Sequence, residues 1–297
     1  MGRRFLILTP YLWLVALFLL PFAIVLKISL SDPAISIPPY TPTLDWRAGW
    51  EGLSRFFGQL DFENFVFLTQ DDLYWKAYLS SARIALISTL LTLLVGFPIA
   101  YGMAQAAPEW RPLLLMLVIL PFWTSFLIRV YSWIGILANE GYLNQLLQGI
   151  GVIDAPLSIL NTQTAVYIGI VYTYLPFMVL PIYAALEKLD GALLEAAEDL
   201  GCSRLSAFWL ITVPLARPGI VAGCFLVFIP TLGEFVIPSL LGGSDTLMIG
   251  KVLWEEFFNN RDWPVASAVA VVLLLILVVP IVLFQRNEQK QREAEGQ

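Results

Sequence analysis

Six long apolar stretches punctuate this chain, at about residues 5–30, 82–106, 113–138, 165–186, 218–241 and 265–284. Each holds about 20 residues or more, and a helix of that length, rising ~1.5 Å per residue, crosses the ~30 Å hydrocarbon layer of a bilayer. Composition agrees. Only 13% of the 297 residues are charged and 58% are hydrophobic, whereas a water-soluble domain carries roughly 25% charged residues. Too little polar surface remains to coat a globule in water. The sequence therefore predicts an all-α membrane protein with six transmembrane helices embedded in a lipid bilayer.

The first stretch follows Arg3 and Arg4 and so opens like a secretory signal. Its apolar run from Phe5 to Leu26 is longer than a signal core of ~7–15 residues, and no clean small-x-small site follows. It reads as a retained anchor. Loop Lys and Arg residues set the orientation. Arg3, Arg4, Arg111, Lys188, Arg204, Arg217, Arg286, Lys290 and Arg292 fall on one side, while Arg47, Arg55, Lys76, Lys251 and Arg261 are spread over longer segments on the other. This predicts a multi-pass protein with both termini in the cytoplasm.

The loops placed outside are acidic, among them Asp32, Asp45, Asp61, Glu63, Asp71, Asp72, Glu255, Glu256 and Asp262. Such a mouth would concentrate cations; it would equally serve as a solvated surface or as a docking face. The overall charge of −6 argues against nucleic acid, which wants a basic face.

Several chemistries are excluded. The chain has no histidine and two cysteines, Cys202 and Cys224, both read as lying in or near the membrane or its cytoplasmic side. No disulfide framework, no transition-metal site and no Ser-His-Asp or Cys-His relay can be assembled from these. Gly250-Lys251 is followed by Val252, and Asp245 stands where a phosphate-cradling loop needs glycine. No catalytic residue or cofactor is expected, and ATP hydrolysis would have to come from another chain.

Three regions follow from the pattern. Residues 1–81 form an anchor helix and a long extracytoplasmic loop. The Pro-rich start of that loop, Ser36 to Thr43, cannot be regular helix, and Asp72 to Ser81 reads as a helical lead into the second span. Residues 82–284 form the membrane core, with a cytoplasmic loop at about 188–216. Residues 285–297 form a charged tail expected to fray.

That cytoplasmic loop is the most informative segment. It reads Glu195-Ala196-Ala197-Glu198-Asp199-Leu200-Gly201, then Cys202 to Ile211, then Thr212-Val213-Pro214. Asp190 can start a helix of strong helix formers, and Gly201 stops it as a C-terminal glycine does. A second short helix covers roughly Ser203 to Thr212 and is expected to end at Pro214. On the residues alone, this helix-turn-helix is either an amphipathic element resting on the membrane or a docking element for a partner.

The spacing Glu-Ala-Ala, three residues, Gly, nine residues, then Ile-x-Val-Pro resembles the coupling loop of bacterial binding-protein-dependent ABC importer permeases, the MetI-like scaffold, in which the usual ending is Ile-x-Leu-Pro. Three further segments are similar to the spermidine/putrescine group of that family, most of all its putrescine-importing type. They are Pro121 to Trp133, Gly233 to Gly243 and Asn259 to Ala268. The resemblance implies a non-catalytic subunit forming half of a solute path. It implies as partners a second permease subunit, a dimer of ATP-binding subunits and an extracytoplasmic polyamine-binding protein. It also implies that Glu195, Ala196, Ala197 and Gly201 couple the path to the ATPase.

Lys27, Arg129 and Glu234 fall within spans. Lys27 lies close enough to an end to snorkel. Arg129 and Glu234 each lie 16 residues into a span, about 24 Å along a straight helix. A lone charge at such depth costs at least ~2.5–3.5 kcal/mol and normally faces a partner or a water-filled path. The expectation is an Arg129–Glu234 ion pair, with Glu234 also able to meet a substrate ammonium. Trp123, Tyr131 and Tyr174, with Phe235 beside the acid, are candidates for lining the path through cation–π contact with an amine. An interfacial aromatic belt suits Trp133 and Tyr167, whereas Trp123 and Tyr174 lie deeper and fit it poorly. Pro176 and Pro181 should kink their span. Gly219 and Gly223 offer either a close helix contact or a flexible joint. An ion-coupled secondary transporter would want several intramembrane carboxylates, and Glu234 alone qualifies; import of another small solute by the same scaffold stays open.

Overall fold

The computed structural model of the chain describes residues 2–43 and 49–295; Asp45 and Arg47, counted above among the outer-loop charges, lie outside them. In chain order the helices begin with α1 (Gly2–Leu14) and α2 (Leu20–Ser29). Two short strands, β1 (Asp32–Pro33) and β2 (Tyr40–Thr41), pair antiparallel. Then come α3 (Gly49–Gly58), α4 (Glu63–Gln70), α5 (Asp72–Gln105), α6 (Arg111–Ile119), α7 (Phe126–Leu137) and α8 (Tyr142–Gly149). The rest are α9 (Gln163–Leu186), α10 (Gly191–Asp199), α11 (Arg204–Ala207), α12 (Val213–Leu232), α13 (Val236–Leu241), α14 (Ile249–Trp254) and α15 (Trp263–Glu295). α5 begins at Asp72, so the expected helical lead and the second span are one helix. α15 keeps helical backbone to Glu295, well past Phe284, where the tail was expected to fray.

Among the described residues, four helices are long and apolar enough to cross a bilayer: Leu8–Ser29, Asp72–Gln105, Gln163–Leu186 and Arg204–Leu232. A fifth is made by counting together Arg111–Trp123 and Phe126–Gly149, which meet at 90°. The described apolar part of α15, Trp263–Val278, is shorter. By length and composition four or five spans are thus shown among the described residues, beside the six expected.

Two of the expected spans are not continuous. The stretch 113–138 breaks because Pro121 has no N–H to continue the ladder of α6. The chain tightens into a 3₁₀ turn over Leu120–Trp123, and Thr124 and Ser125 then take extended backbone before α7 starts. The Thr124 hydroxyl donates to the Pro121 carbonyl at 2.8 Å, which satisfies one group freed at the break. The stretch 218–241 breaks at Gly233–Phe235, between α12 and α13.

Pro214 does not end the second loop helix. The turn over Phe208–Thr212 is a wide π turn in which the Val213 N–H donates to the Phe208 carbonyl, so the ladder is already shifted when the chain reaches Pro214. Proline then sits in the first turn of α12, where its missing N–H is harmless.

The helices gather into two units, residues 1–77 with 252–297, and residues 78–251. In the first, α15 packs along α2 and α4. Asn64 donates to the carbonyls of Ser29 and Ser31 at 3.0 and 2.8 Å, fastening α4 to the end of α2. Lys27 does more than snorkel: its ammonium donates to the Pro42 carbonyl and stands 4.1 Å from the Tyr40 ring centroid. α3 and α4 occupy part of the stretch read from the sequence as a long loop.

The second unit is built on α9, the most internally buried of the four long helices at 56% of its apolar window. Its principal partner is α12. Gly219 and Gly223 make that approach possible. A Cβ at Gly219 would lie 2.5 Å from the Pro181 carbonyl, and one at Gly223 would lie 2.8 Å from Met178 Sδ. Of the two readings offered by the sequence, close helix contact is the one realised.

Candidate functional site

The break between α12 and α13 presents Glu234. The residue is 7% exposed and its carboxylate lies at the start of α13, whose first N–H groups have no intrahelical acceptor. Glu234 Oε1 accepts from the N–H groups of Phe235 (3.1 Å), Val236 (2.9 Å) and Ile237 (3.4 Å). Glu234 Oε2 accepts from the Tyr174 hydroxyl at 2.6 Å. Hydrogen bonds to an ionised group are shorter and stronger than neutral ones, and four of them replace much of the hydration this carboxylate gives up. The sequence showed the acid but not its cradle, which exists because Gly233 and Phe235 leave the helix.

Glu234 faces an open cleft of about 440 Å³ lined by Arg129, Phe122, Phe126, Tyr174, Phe177 and Phe235, together with Thr173, Pro230, Gly233 and Val236. Arg129 and Glu234 are the charged residues in this lining. α13 packs against both α7 and α9, so the half-helices that follow the two breaks meet beside the acid. Phe122 and Phe177 stand 5.2 Å apart by ring centroids and Tyr174 and Phe177 6.0 Å. These rings give the cleft an apolar wall with π faces around one carboxylate.

The expected Arg129–Glu234 ion pair is not formed: no nitrogen–oxygen contact within 4.0 Å joins them. The acid is met by Tyr174 and the α13 backbone instead. Arg129 lies over the rings of Phe122 and Phe126, at 5.6 and 6.0 Å from their centroids. Its Nε and Nη1 are buried without a hydrogen-bond partner, a state costing roughly 1–3 kcal/mol for each unmet donor. The count of 16 residues along each span does not transfer either, because the 90° bend lies between the start of α6 and Arg129. The two residues share a cleft through that bend, not through equal rise along straight helices.

Of the other path candidates, Tyr174 and Phe235 line the cleft and Trp123 and Tyr131 do not. Trp123 is 74% exposed at the bend and Tyr131 is 57% exposed on α7. Trp133 stacks edge-on with Tyr172 at 5.3 Å. Phe122, Phe126 and Phe177 went unnominated because an apolar ring within an apolar run carries no signal of its own.

The segment 187–212 forms a second candidate site. Asp190 caps α10 by accepting from the Ala192 N–H at 3.0 Å. The Cys202 N–H donates to the Ala197 carbonyl and the Gly201 N–H to the Glu198 carbonyl, with Gly201 at φ +80°. This is the left-handed helix stop that glycine adopts without strain. Ser203 then caps α11. Glu195, Ala196 and Gly201 are exposed, whereas Ala197 is buried. Leu200, Leu205, Trp209 and Leu210 expose large apolar side chains on the same segment.

One contact there was invisible in the sequence. Phe208, in the π turn, packs edge-on against Phe97 and Tyr101 of α5, at 5.6 and 5.5 Å between centroids. The loop is thereby keyed into a long membrane helix. Arg111 closes the other flank: its Nε donates to the Ala106 carbonyl at 3.0 Å, and it stands 4.0 Å from Glu187, which accepts from the Tyr183 hydroxyl.

Comparison with known proteins gives a consistent result. Residues 4–286 match the family described as the binding-protein-dependent transport system inner membrane component. The chain is 43% identical over 257 residues to the spermidine/putrescine transport system permease protein PotB of Escherichia coli (strain K12), covering 80% of this chain and 94% of that protein. It is 43% identical over 236 residues to PotB of Haemophilus influenzae, covering 80% and 82% of the two chains. It is 32% identical over 219 residues to the inner membrane ABC transporter permease protein YdcU of Escherichia coli, covering 69% and 67%. Among solved structures, a bacterial ABC transporter involved in the import of the acidic polysaccharide alginate shares the fold with a TM-score of 0.69. That match has 17% identity and covers 97% of this chain and 95% of that one.

Proposed function

Because the chain belongs to the binding-protein-dependent transport system inner membrane components, we propose that it is the transmembrane permease subunit of an ATP-driven importer of polyamines, putrescine or spermidine. The substrate class follows from its 43% identity with PotB and from the chemistry of the cleft. An aliphatic polyamine carries ammonium heads on an apolar stem. A carboxylate supported by backbone dipoles suits a head, and the rings of Phe122, Phe177 and Tyr174 suit both stem and head. The single observation that carries the reading is Glu234, held by Tyr174 and the α13 backbone at a helix break within an aromatic cleft.

In this account the chain spans the inner membrane six times, with the apolar part of α15 as the sixth span and the bent α6–α7 pair as the third. Both termini face the cytoplasm. Residues 82–284 act as the permease core and 285–297 as its cytoplasmic tail. A second permease subunit completes the path, an extracytoplasmic binding protein delivers the amine, and the chain itself does no covalent chemistry. One of two ATP-binding subunits docks on α10, with the exposed Glu195 and Ala196 at the contact, Ala197 packed beneath them and Gly201 as the stop that fixes the angle between α10 and α11. Closure of the two subunits on ATP moves α10, and Phe208 passes that movement to α5. The halves of the path rock, the amine reaches Glu234, and hydrolysis restores the starting state.

The test is uptake of radiolabelled putrescine and spermidine in a strain lacking this chain and in the same strain with it restored, with unlabelled amines and inorganic cations as competitors. Restored uptake that amines inhibit and potassium does not is the expected result. Uptake of an uncharged solute with no amine competition would overturn the substrate class.

A further inference from the structure

Glu234 has room for one more partner. A carboxylate oxygen offers about two acceptor positions. Oε1 is taken up by three backbone N–H groups, whereas Oε2 accepts from the Tyr174 hydroxyl alone. One acceptor position on Oε2 is therefore unfilled, on a residue that lines the cleft, and any cation that reaches this acid must compete for it.

Arg129 is placed to be such a competitor. It lines the same cleft, and its Nε and Nη1 lack partners while being enclosed by this chain. Groups from a second subunit cannot reach those two nitrogens without rearrangement. Among the residues lining the cleft, Glu234 is the one acid. What holds Arg129 away is weak: π faces at 5.6 and 6.0 Å, with no hydrogen bond to either nitrogen. Its helix, α7, packs directly on α13, the helix that Glu234 precedes, so a small shift between the two is enough to change the distance.

We propose that Arg129 is a tethered competitor that expels substrate ammonium from Glu234. It alternates between its place over Phe122 and Phe126 and the open position on Glu234 Oε2. The present arrangement is the amine-accepting one, with the carboxylate clear of cations. The swap is an exchange of ions in which no covalent bond changes. A cation on a short tether acts at an effective concentration far above that of free amine, so it can release a substrate that a buried carboxylate would otherwise retain. This inference rests on the amine reading of the cleft and adds a release step to it.

The experiment measures two quantities on the assembled importer. The first is the Kd of radiolabelled putrescine for the purified permease–ATPase complex without binding protein; the second is the maximal uptake rate in cells. Arg129→Gln should lower Kd by about fivefold or more, a typical coupling between linked sites, and should also slow uptake. In a Glu234→Gln background the same change should move Kd less than twofold, since the competitor has lost its target. Arg129→Lys keeps a competing cation and should hold Kd within about twofold of wild type. A structural role alone would raise Kd or leave it unchanged, so either result in Arg129→Gln overturns the proposal. If Arg129→Gln does not assemble, a fivefold fall in Kd for Arg129→Lys overturns it. Absence of any amine uptake by the wild-type importer overturns the amine reading itself, whereas uptake with an unmoved Kd in Arg129→Gln overturns this inference alone.

Discussion

A hydroxyl decides how Glu234 is held. Tyr174 is 9% exposed and spends its O–H on Glu234 Oε2; a hydrogen bond to a charged group contributes about 1.5–3 kcal/mol. Tyr174→Phe keeps the ring and removes that bond. The variant should insert normally and lose uptake by roughly tenfold, read as initial rates against membrane abundance, since ~1.4 kcal/mol corresponds to that factor. Wild-type uptake would mean that the hydroxyl does not position the acid. At this scale the sequence exposed what was chemically out of place. Glu234 and Arg129 were legible because charge in an apolar run is costly, and Tyr174 because it lay too deep for an interfacial belt. That Tyr174 and the α13 backbone, not Arg129, would meet Glu234 was not legible. It depends on the bend at Thr124–Ser125 and on the N–H groups freed at Gly233–Phe235, which no single residue announces.

Among the elements, the loop from α10 to α12 carries the mechanical part of the account. Two substitutions separate its shape from its connection to the membrane helices. Gly201→Val meets no atom within 4 Å, but it forces a β-branched residue into φ +80°, at about 1–2 kcal/mol. Phe208→Ala leaves the backbone unstrained and removes the ring lodged between Phe97 and Tyr101. Both should abolish most uptake while the chain still inserts. Gly201→Val should also weaken ATPase association in pull-down, whereas Phe208→Ala should leave association intact and break only the coupling. Equal behaviour in pull-down would contradict the division of labour. The sequence read α10 well, since its cap, helix formers and glycine stop all agree. It misread Pro214, because proline's effect depends on where the ladder stands when the chain reaches it, and a π turn has no compositional signature. Pro121 was likewise passed over inside an apolar run, although it is what bends the third span.

For the whole molecule, hydropathy placed the apolar segments, exclusion removed covalent chemistry, and the resemblance of the 195–214 loop to the importer permeases pointed to a transport subunit. Family membership agrees with that outline. Length was the weaker guide: straight spans were inferred where the chain breaks, and those breaks are where the charged cleft is built. Breaks at membrane depth persist where they line a cavity or are covered by protein, so they mark function more directly than the spans do. The measurement that tests the central claim most directly is cysteine cross-linking from position 195, with Glu195→Cys in the assembled importer, followed by identification of the attached chain with and without ATP. The account predicts an adduct with an ATP-binding subunit whose yield changes on nucleotide binding. An assembly that transports amine yet gives no adduct between residues 195–201 and a nucleotide-hydrolysing chain would contradict it.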